Sequence, residues 1–111
     1  MRRPAEFAAA IRRGTRRGRA SLVVYLSSGS PGTLKVGVVV NKKVGKAVDR
    51  NRVKRRLKAL AAARVPELTE GTALVVRALP PAREMGFREL QEDFDGALGD
   101  VMAARAVRRG R

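Results

Sequence analysis

The stretch KKVGKAVDRNRVKRRLKAL, Lys42 to Leu60, places nine cations and one carboxylate in nineteen positions. Ammonium and guanidinium groups at this density suit one kind of chemistry, the binding of phosphate. Four of the nine are arginines, and a planar guanidinium can grip a phosphate through two parallel N–H donors. Other chemistries are closed. The chain has no Cys and no His, which removes disulfides, Cys/His zinc sites and His-based acid–base or nucleophilic catalysis. Six of the ten acids fall between Glu84 and Asp100. They read as counter-charge on the solvent face of a helix rather than as a cage for Mg²⁺, so an autonomous protein nuclease is a weak reading.

The charge is one-sided. Residues 1–64 hold 18 cations against two acids, Glu6 and Asp49, whereas residues 65–111 hold seven cations against eight acids. Solubility does not require a one-signed half, and a polyanion explains it better. Nucleic acid is the favoured partner over an anionic membrane, and no apolar run approaches the roughly 20 residues that span a bilayer. The basic N-terminal stretch MRRPAEFAAAIRRG is too short in its apolar part for a signal peptide. Absence of cysteine fits a cytoplasmic protein. The 111 residues are read as one domain with one modest core of Val, Leu and Ala.

The elements that must position these cations follow from pattern. Pro4 to Arg13 reads as a short amphipathic helix with Phe7 and Ile11 one turn apart, and Arg12 to Arg19 as a basic connector. Ser21–Ser27 (SLVVYLS) and Leu34–Asn41 (LKVGVVVN) read as strands joined across the turn at SGSPG, close enough to form a hairpin. In the second of these, Val36, Val38 and Val40 share one face, and Lys35, Gly37, Val39 and Asn41 the other. Gly37 leaves that second face flat enough to admit a ligand or another backbone. Asp49 is expected to cap a helix that runs to about Arg64, stopped by Pro66. Thr72–Leu79 (TALVVRAL) reads as a strand and PPAREMG as a loop. From Phe87 the apolar residues Phe87, Leu90, Phe94, Leu98, Val101 and Met102 fall at helical spacing along one stripe, and the terminal AVRRGR is expected to fray. Gly96 and Gly99 each weaken this helix by roughly 1 kcal/mol relative to Ala.

On the basic helix, Val53, Leu57, Leu60 and Ala61 form a stripe for the core at about 100° per residue. Arg52, Lys54, Arg55, Arg56 and Lys58 fill the remaining arc, and Arg50 lies near the stripe's edge. Asn51 sits in the first turn, among free N–H groups. Upstream, Lys42, Lys43 and Lys46 flank Gly45 on a loop that allows close backbone approach. A solvated helix face would alternate charge to gain i,i+4 pairs, yet no acid follows Asp49 until Glu67. Phosphate binding is the better reading, although charge alone leaves DNA, RNA and other polyanions open.

The residues Arg50-Asn51-Arg52, preceded by Lys-Lys-x-Gly-x-Ala-Val and followed by x-Lys-Arg, resemble the signature of the bacterial ribonuclease P protein subunit. Glu6-Phe7, Arg13-Gly14, the strand ending at Tyr25 and LVVRALPPA extend the resemblance over nearly the whole chain. It implies a small α+β fold, a two-layer α-β sandwich like a ribosomal-protein domain. The element order would be α-β-β-(β)-α-β-α, with a left-handed β-α-β crossover against the usual preference. It further implies an RNA-binding subunit of an endoribonuclease that releases the 5′ leader of precursor transfer RNA. The catalytic RNA would do the chemistry with Mg²⁺, and the protein would contribute no catalytic residue. By position, Arg50, Asn51, Arg52, Lys54, Arg55, Arg56 and Lys58, with Lys42, Lys43 and Lys46 at the rim, would meet RNA. Phe7, Ile11, Tyr25, Gly37 and Val39 would line the leader cleft. The protein alone would be a monomer, without membrane attachment. Two departures stand out: Ile11 replaces a commonly aromatic residue, and the N-terminus is shorter in basic residues than is usual. A purely structural nucleic-acid binder is the competing class.

Overall fold

Four strands and two long helices make up the computed structural model, which describes residues 15–28, 32, 34–68 and 71–109. The strands are β1 (Thr15–Gly18), β2 (Leu22–Ser28), β3 (Leu34–Val39) and β4 (Thr72–Ala78), and the helices are α1 (Ala47–Arg64) and α2 (Phe87–Arg109). Single 3₁₀ turns, Val65–Glu67 and Pro80–Glu84, follow α1 and β4, each with a proline at its start. The helix expected at residues 4–13 lies outside the described residues.

The sheet order is β1-β2-β4-β3, with β1–β2 and β2–β4 antiparallel and β3–β4 parallel. The expected hairpin between Ser21–Ser27 and Leu34–Asn41 therefore does not form. Strand β4 sits between them, because its apolar residues are buried on both faces and demand neighbours on both sides. Strand β3, with Lys35 and half-buried valines, takes the edge. The hairpin partner of β2 is β1, drawn from the basic segment expected to be a connector. Thr15 is buried there while Arg16 and Arg17 face solvent, so backbone pairing rather than apolar pattern makes this strand.

Both helices pack on one face of the sheet. Leu22, Val24, Leu26, Leu74 and Val76 point toward Val53, Leu57, Leu60 and Ala61 of α1 and Leu90, Phe94, Ala97, Leu98 and Val101 of α2. Each large side chain fully buried here contributes about 1.5–3 kcal/mol of transfer free energy. Helix α2 lies over β1 and β2, and α1 over β3. Helix α2 continues to Arg109, beyond the point where fraying was expected. Its Asp93 carboxylate accepts the Ser21 N–H (3.2 Å) and hydroxyl (2.6 Å), pinning it to the turn between β1 and β2. Gly96 has a structural reason: a Cβ there would stand 2.9 Å from Arg19 Nη2, and Arg19 crosses this gap to reach Asp100 at 2.7 Å.

Candidate nucleic-acid interface

The loop before α1 is built to turn its lysines outward. The Asn41 side chain accepts the Lys43 N–H at 3.0 Å, and the Asn41 carbonyl accepts the Val44 N–H at 3.1 Å, which closes a tight turn. Val44 is buried and anchors the turn in the core. Lys42, Lys43 and Lys46 on either side are left exposed.

Helix α1 begins at Ala47, two residues before the expected cap, so Asn51 is its fifth residue and lies past the free N–H groups of the first turn where it was expected. Lys46 occupies the cap position, and Asp49 sits in the first turn, where its carboxylate accepts the Lys46 N–H at 3.2 Å. The acid thus serves the helix start by reaching back to it, and its charge complements the helix dipole. Gly45 passes so close that a Cβ would lie 2.8 Å from both Asp49 Oδ2 and Arg83 Cδ.

The expected stripe of Val53, Leu57, Leu60 and Ala61 is buried, and Asn51, Lys54, Arg55 and Lys58 are exposed. Three arginines of the motif region behave differently. Arg50 stands three residues before Val53 and seven before Leu57, which puts it on the buried face rather than at its edge. It is half-buried, and its Nε is buried without a hydrogen-bond partner. Arg52 Nη2 donates to the carbonyl of Arg83 at 2.8 Å and lies 3.4 Å from Asp49 Oδ1. Arg56 Nη1 donates to the carbonyl of Met85 at 3.1 Å. Two of the expected RNA contacts are therefore also ties between α1 and the segment after β4.

The far end of α1 is fixed by Arg64. It grips Glu67 through Nε (2.6 Å) and Nη2 (3.0 Å) and reaches Asp95 through Nη1 (2.7 Å). The Glu67 hydrogen bonds raise the guanidinium above its ordinary pKa, against an opposing effect of burial, so it is charged at any pH of interest. With Asp93 on Ser21, Asp95 on Arg64 and Asp100 on Arg19, these carboxylates of α2 are engaged away from the cationic face. Among the described residues, no ion pair joins Lys42, Lys43, Lys46, Lys54, Arg55 or Lys58 to a carboxylate.

The opposite face of the sheet carries the other expected site. Strand parity and register place Arg16, Tyr25, Val75 and Gly37 in one cross-strand row, and Gly18, Val23, Arg77 and Val39 in the next. Tyr25 is 2% exposed and packs with Ala73 and Val75 against Val23 and Val39. Gly37 is buried and Val39 half-buried. Phe7 and Ile11 lie outside the described residues. Arg16 and Arg77 on this face were not singled out from sequence. The parity of TALVVRAL, with Arg77 two residues from Val75, carried the signal for Arg77, whereas Arg16 becomes legible only once β1 is known to be a strand. Arg83 was missed as well, and nothing local to its sequence signals its place beside Gly45. Among the described residues, no helix is long and apolar enough to cross a membrane.

The family model described as Ribonuclease P matches residues 1–102. The chain is 50% identical over 111 residues to the ribonuclease P protein component of Kocuria rhizophila, covering 98% of this chain and 92% of that one. It is 45% identical over 115 residues to that of Streptomyces avermitilis, covering 96% and 94%. Among solved structures, the Staphylococcus aureus RNase P protein superposes with a TM-score of 0.77 at 24% identity, covering 89% of this chain and 91% of that one. The Thermotoga maritima RNase P protein gives 0.74 at 22%, covering 86% and 91%. These structural likenesses speak for the fold, and the sequence relatives for descent. The chain belongs to the ribonuclease P protein family.

Proposed function

We propose that the chain is the RNA-binding protein subunit of a ribonuclease P ribonucleoprotein and assists removal of the 5′ leader from precursor transfer RNA. One observation carries this reading. A docked helix and its leading loop turn six cations outward with no acidic partner among the described residues, while the acids of α2 are engaged elsewhere. Like charges held this way repel one another, and a phosphate backbone relieves the repulsion. Lys42, Lys43, Lys46, Lys54, Arg55 and Lys58 would contact phosphates, with Asn51, in the second turn of α1, beside them. Arg50, Arg52 and Arg56 stand behind them, half-buried, so that each combines a structural role with any contact to RNA.

The chemistry is assigned to the RNA. Among the described residues, no three carboxylates gather where a metal ion could be held, and Asp93, Asp95 and Asp100 each already have a donor partner. On this reading the ions that the reaction uses would be held with the RNA rather than by a site of the protein alone. The leader is assigned to the second sheet face. There Val39 offers apolar surface, Tyr25 and Gly37 form the floor beneath it, and Arg16 and Arg77 supply positive charge. On this reading the protein is a cytoplasmic monomer until it meets RNA.

The test is cleavage of a precursor transfer RNA by a bacterial ribonuclease P RNA at low Mg²⁺, with and without the protein. Stimulation by the protein is expected. No stimulation would refute the proposal, and cleavage by the protein alone would overturn the assignment of chemistry to RNA.

A further inference from the structure

The geometry points to Arg83, from the 3₁₀ turn after β4, as a further phosphate-binding residue that completes the cationic surface at the start of α1. It rests on the reading of α1 as an RNA-binding helix. Arg83 is 38 positions from Gly45 in sequence and lies in the half of the chain without net positive charge. In the fold it comes to rest against the basic loop. Its Cδ lies 2.8 Å from where a Cβ on Gly45 would stand, so a glycine is what lets the side chain lie against the backbone between Val44 and Lys46. Its carbonyl is held by Arg52 Nη2 at 2.8 Å, and the next turn of α1 holds the same segment through Arg56 and the Met85 carbonyl at 3.1 Å.

Burial does not account for this placement, because the side chain is 48% exposed. Ion pairing accounts for little of it. The nearest carboxylate contact is to Glu84 at 3.9 Å, and that carboxylate is itself 79% exposed. Asp49, whose Oδ2 also approaches Gly45, adds an attraction, whereas Arg52 and Lys46, the residue after Gly45, repel the guanidinium. A phosphate bridging Arg83 and the loop lysines reverses that balance. On this view Arg52 and Arg56 are positioning residues, which hold Arg83 at the surface through its backbone and that of Met85.

The test compares Arg83→Met, which keeps the stem on Gly45 and removes the charge, with Arg83→Lys, which keeps both. Full-length proteins are titrated against a bacterial ribonuclease P RNA transcript over a tenfold range of salt, with Arg55→Met as reference. Loss of one phosphate contact flattens the slope of log K against log salt by about 0.7–0.9, or roughly a sixfold change in relative affinity across that range. Arg83→Met is expected to show this, with an unchanged melting temperature, and Arg83→Lys to keep the parental slope. A parental slope for Arg83→Met, or equal flattening in both variants, overturns the proposal. If Arg55→Met flattens the slope while Arg83→Met does not, the reading of α1 stands and only Arg83 is excluded. If neither does, both fail.

Discussion

Arg52, Arg55 and Arg56 stand on one helix within five residues, yet they should separate cleanly under mutation. Arg55 is exposed and has no partner among the described residues, so Arg55→Ala removes no bond. It also relieves repulsion from Arg52 and Lys58, each three positions away, at about 0.2–0.5 kcal/mol per like pair. The melting temperature should hold or rise by about 2–4 °C. Arg52→Ala breaks a 2.8 Å bond from a guanidinium to the Arg83 carbonyl. Bonds to charged groups are worth about 1.5–3 kcal/mol when sheltered, and partial exposure reduces this to about 1 kcal/mol. Arg56→Ala breaks the 3.1 Å bond to Met85 with a similar loss. For a domain of this size 1 kcal/mol is about 4 °C. Salt dependence of binding to the catalytic RNA should order the variants the other way. Arg55→Ala should flatten the slope by about 0.7–0.9, and Arg52→Ala by clearly less, because its guanidinium is already turned toward Arg83 and Asp49. The assays are thermal melts at fixed ionic strength and binding titrations at five or more salt concentrations. If Arg52→Ala flattens the slope as much as Arg55→Ala while melting like the parent, the division between clamp and contact is wrong.

Two further perturbations test the scaffold. Asp93→Ala leaves the N–H and hydroxyl of fully buried Ser21 without an acceptor and should cost about 2–3 kcal/mol in urea unfolding. A loss under about 0.5 kcal/mol would show that water replaces the carboxylate. Gly99→Ala places its Cβ in open space within α2 and should stabilise by about 0.5–1 kcal/mol, whereas Gly96→Ala meets the Arg19 guanidinium at 2.9 Å and should gain less. Equal gains by thermal melt would mean that Arg19 moves aside freely.

Much of the scaffold was legible because local pattern and tertiary demand agree. The stripe Val53, Leu57, Leu60 and Ala61 is buried as its spacing requires, and so are Leu90, Phe94, Leu98 and Val101 of the α2 stripe, whereas Phe87 at its head is exposed because it begins the helix beyond the edge of the core. The parity that separates Val36 and Val38 from Gly37 and Val39 holds in the sheet. What failed was pairing. Proximity in sequence favoured a hairpin of β2 with β3, but TALVVRAL is apolar at consecutive positions, and that is itself the mark of a strand covered on both faces. Strand β1 was hidden because an edge strand of Thr, Arg and Gly is held by backbone bonds that side-chain pattern does not report. Arg50 shows a finer limit: the same wheel that buries Val53 turns Arg50 inward, so membership in a cationic motif does not make a side chain exposed. Arg83 needed the fold itself, since only the passage of the 3₁₀ turn beside Gly45 brings it to the basic loop.

The parallel pairing of β3 with β4 has a consequence for how the protein comes into being. During synthesis β3 and the whole of α1 leave the ribosome before Thr72, the first residue of the strand that pairs with β3 among the described residues. The β1–β2 hairpin is local and can close at once, whereas β3 waits for a long-range closure. The groups that clamp α1 come later still: the carbonyls of Arg83 and Met85, then Asp95. A nascent chain halted near residue 70 would carry nearly all of the net positive charge and little of the long-range architecture that aims it. On the proposed function, discrimination between the correct RNA and any other polyanion would therefore be acquired late, from the half of the chain that carries no excess charge.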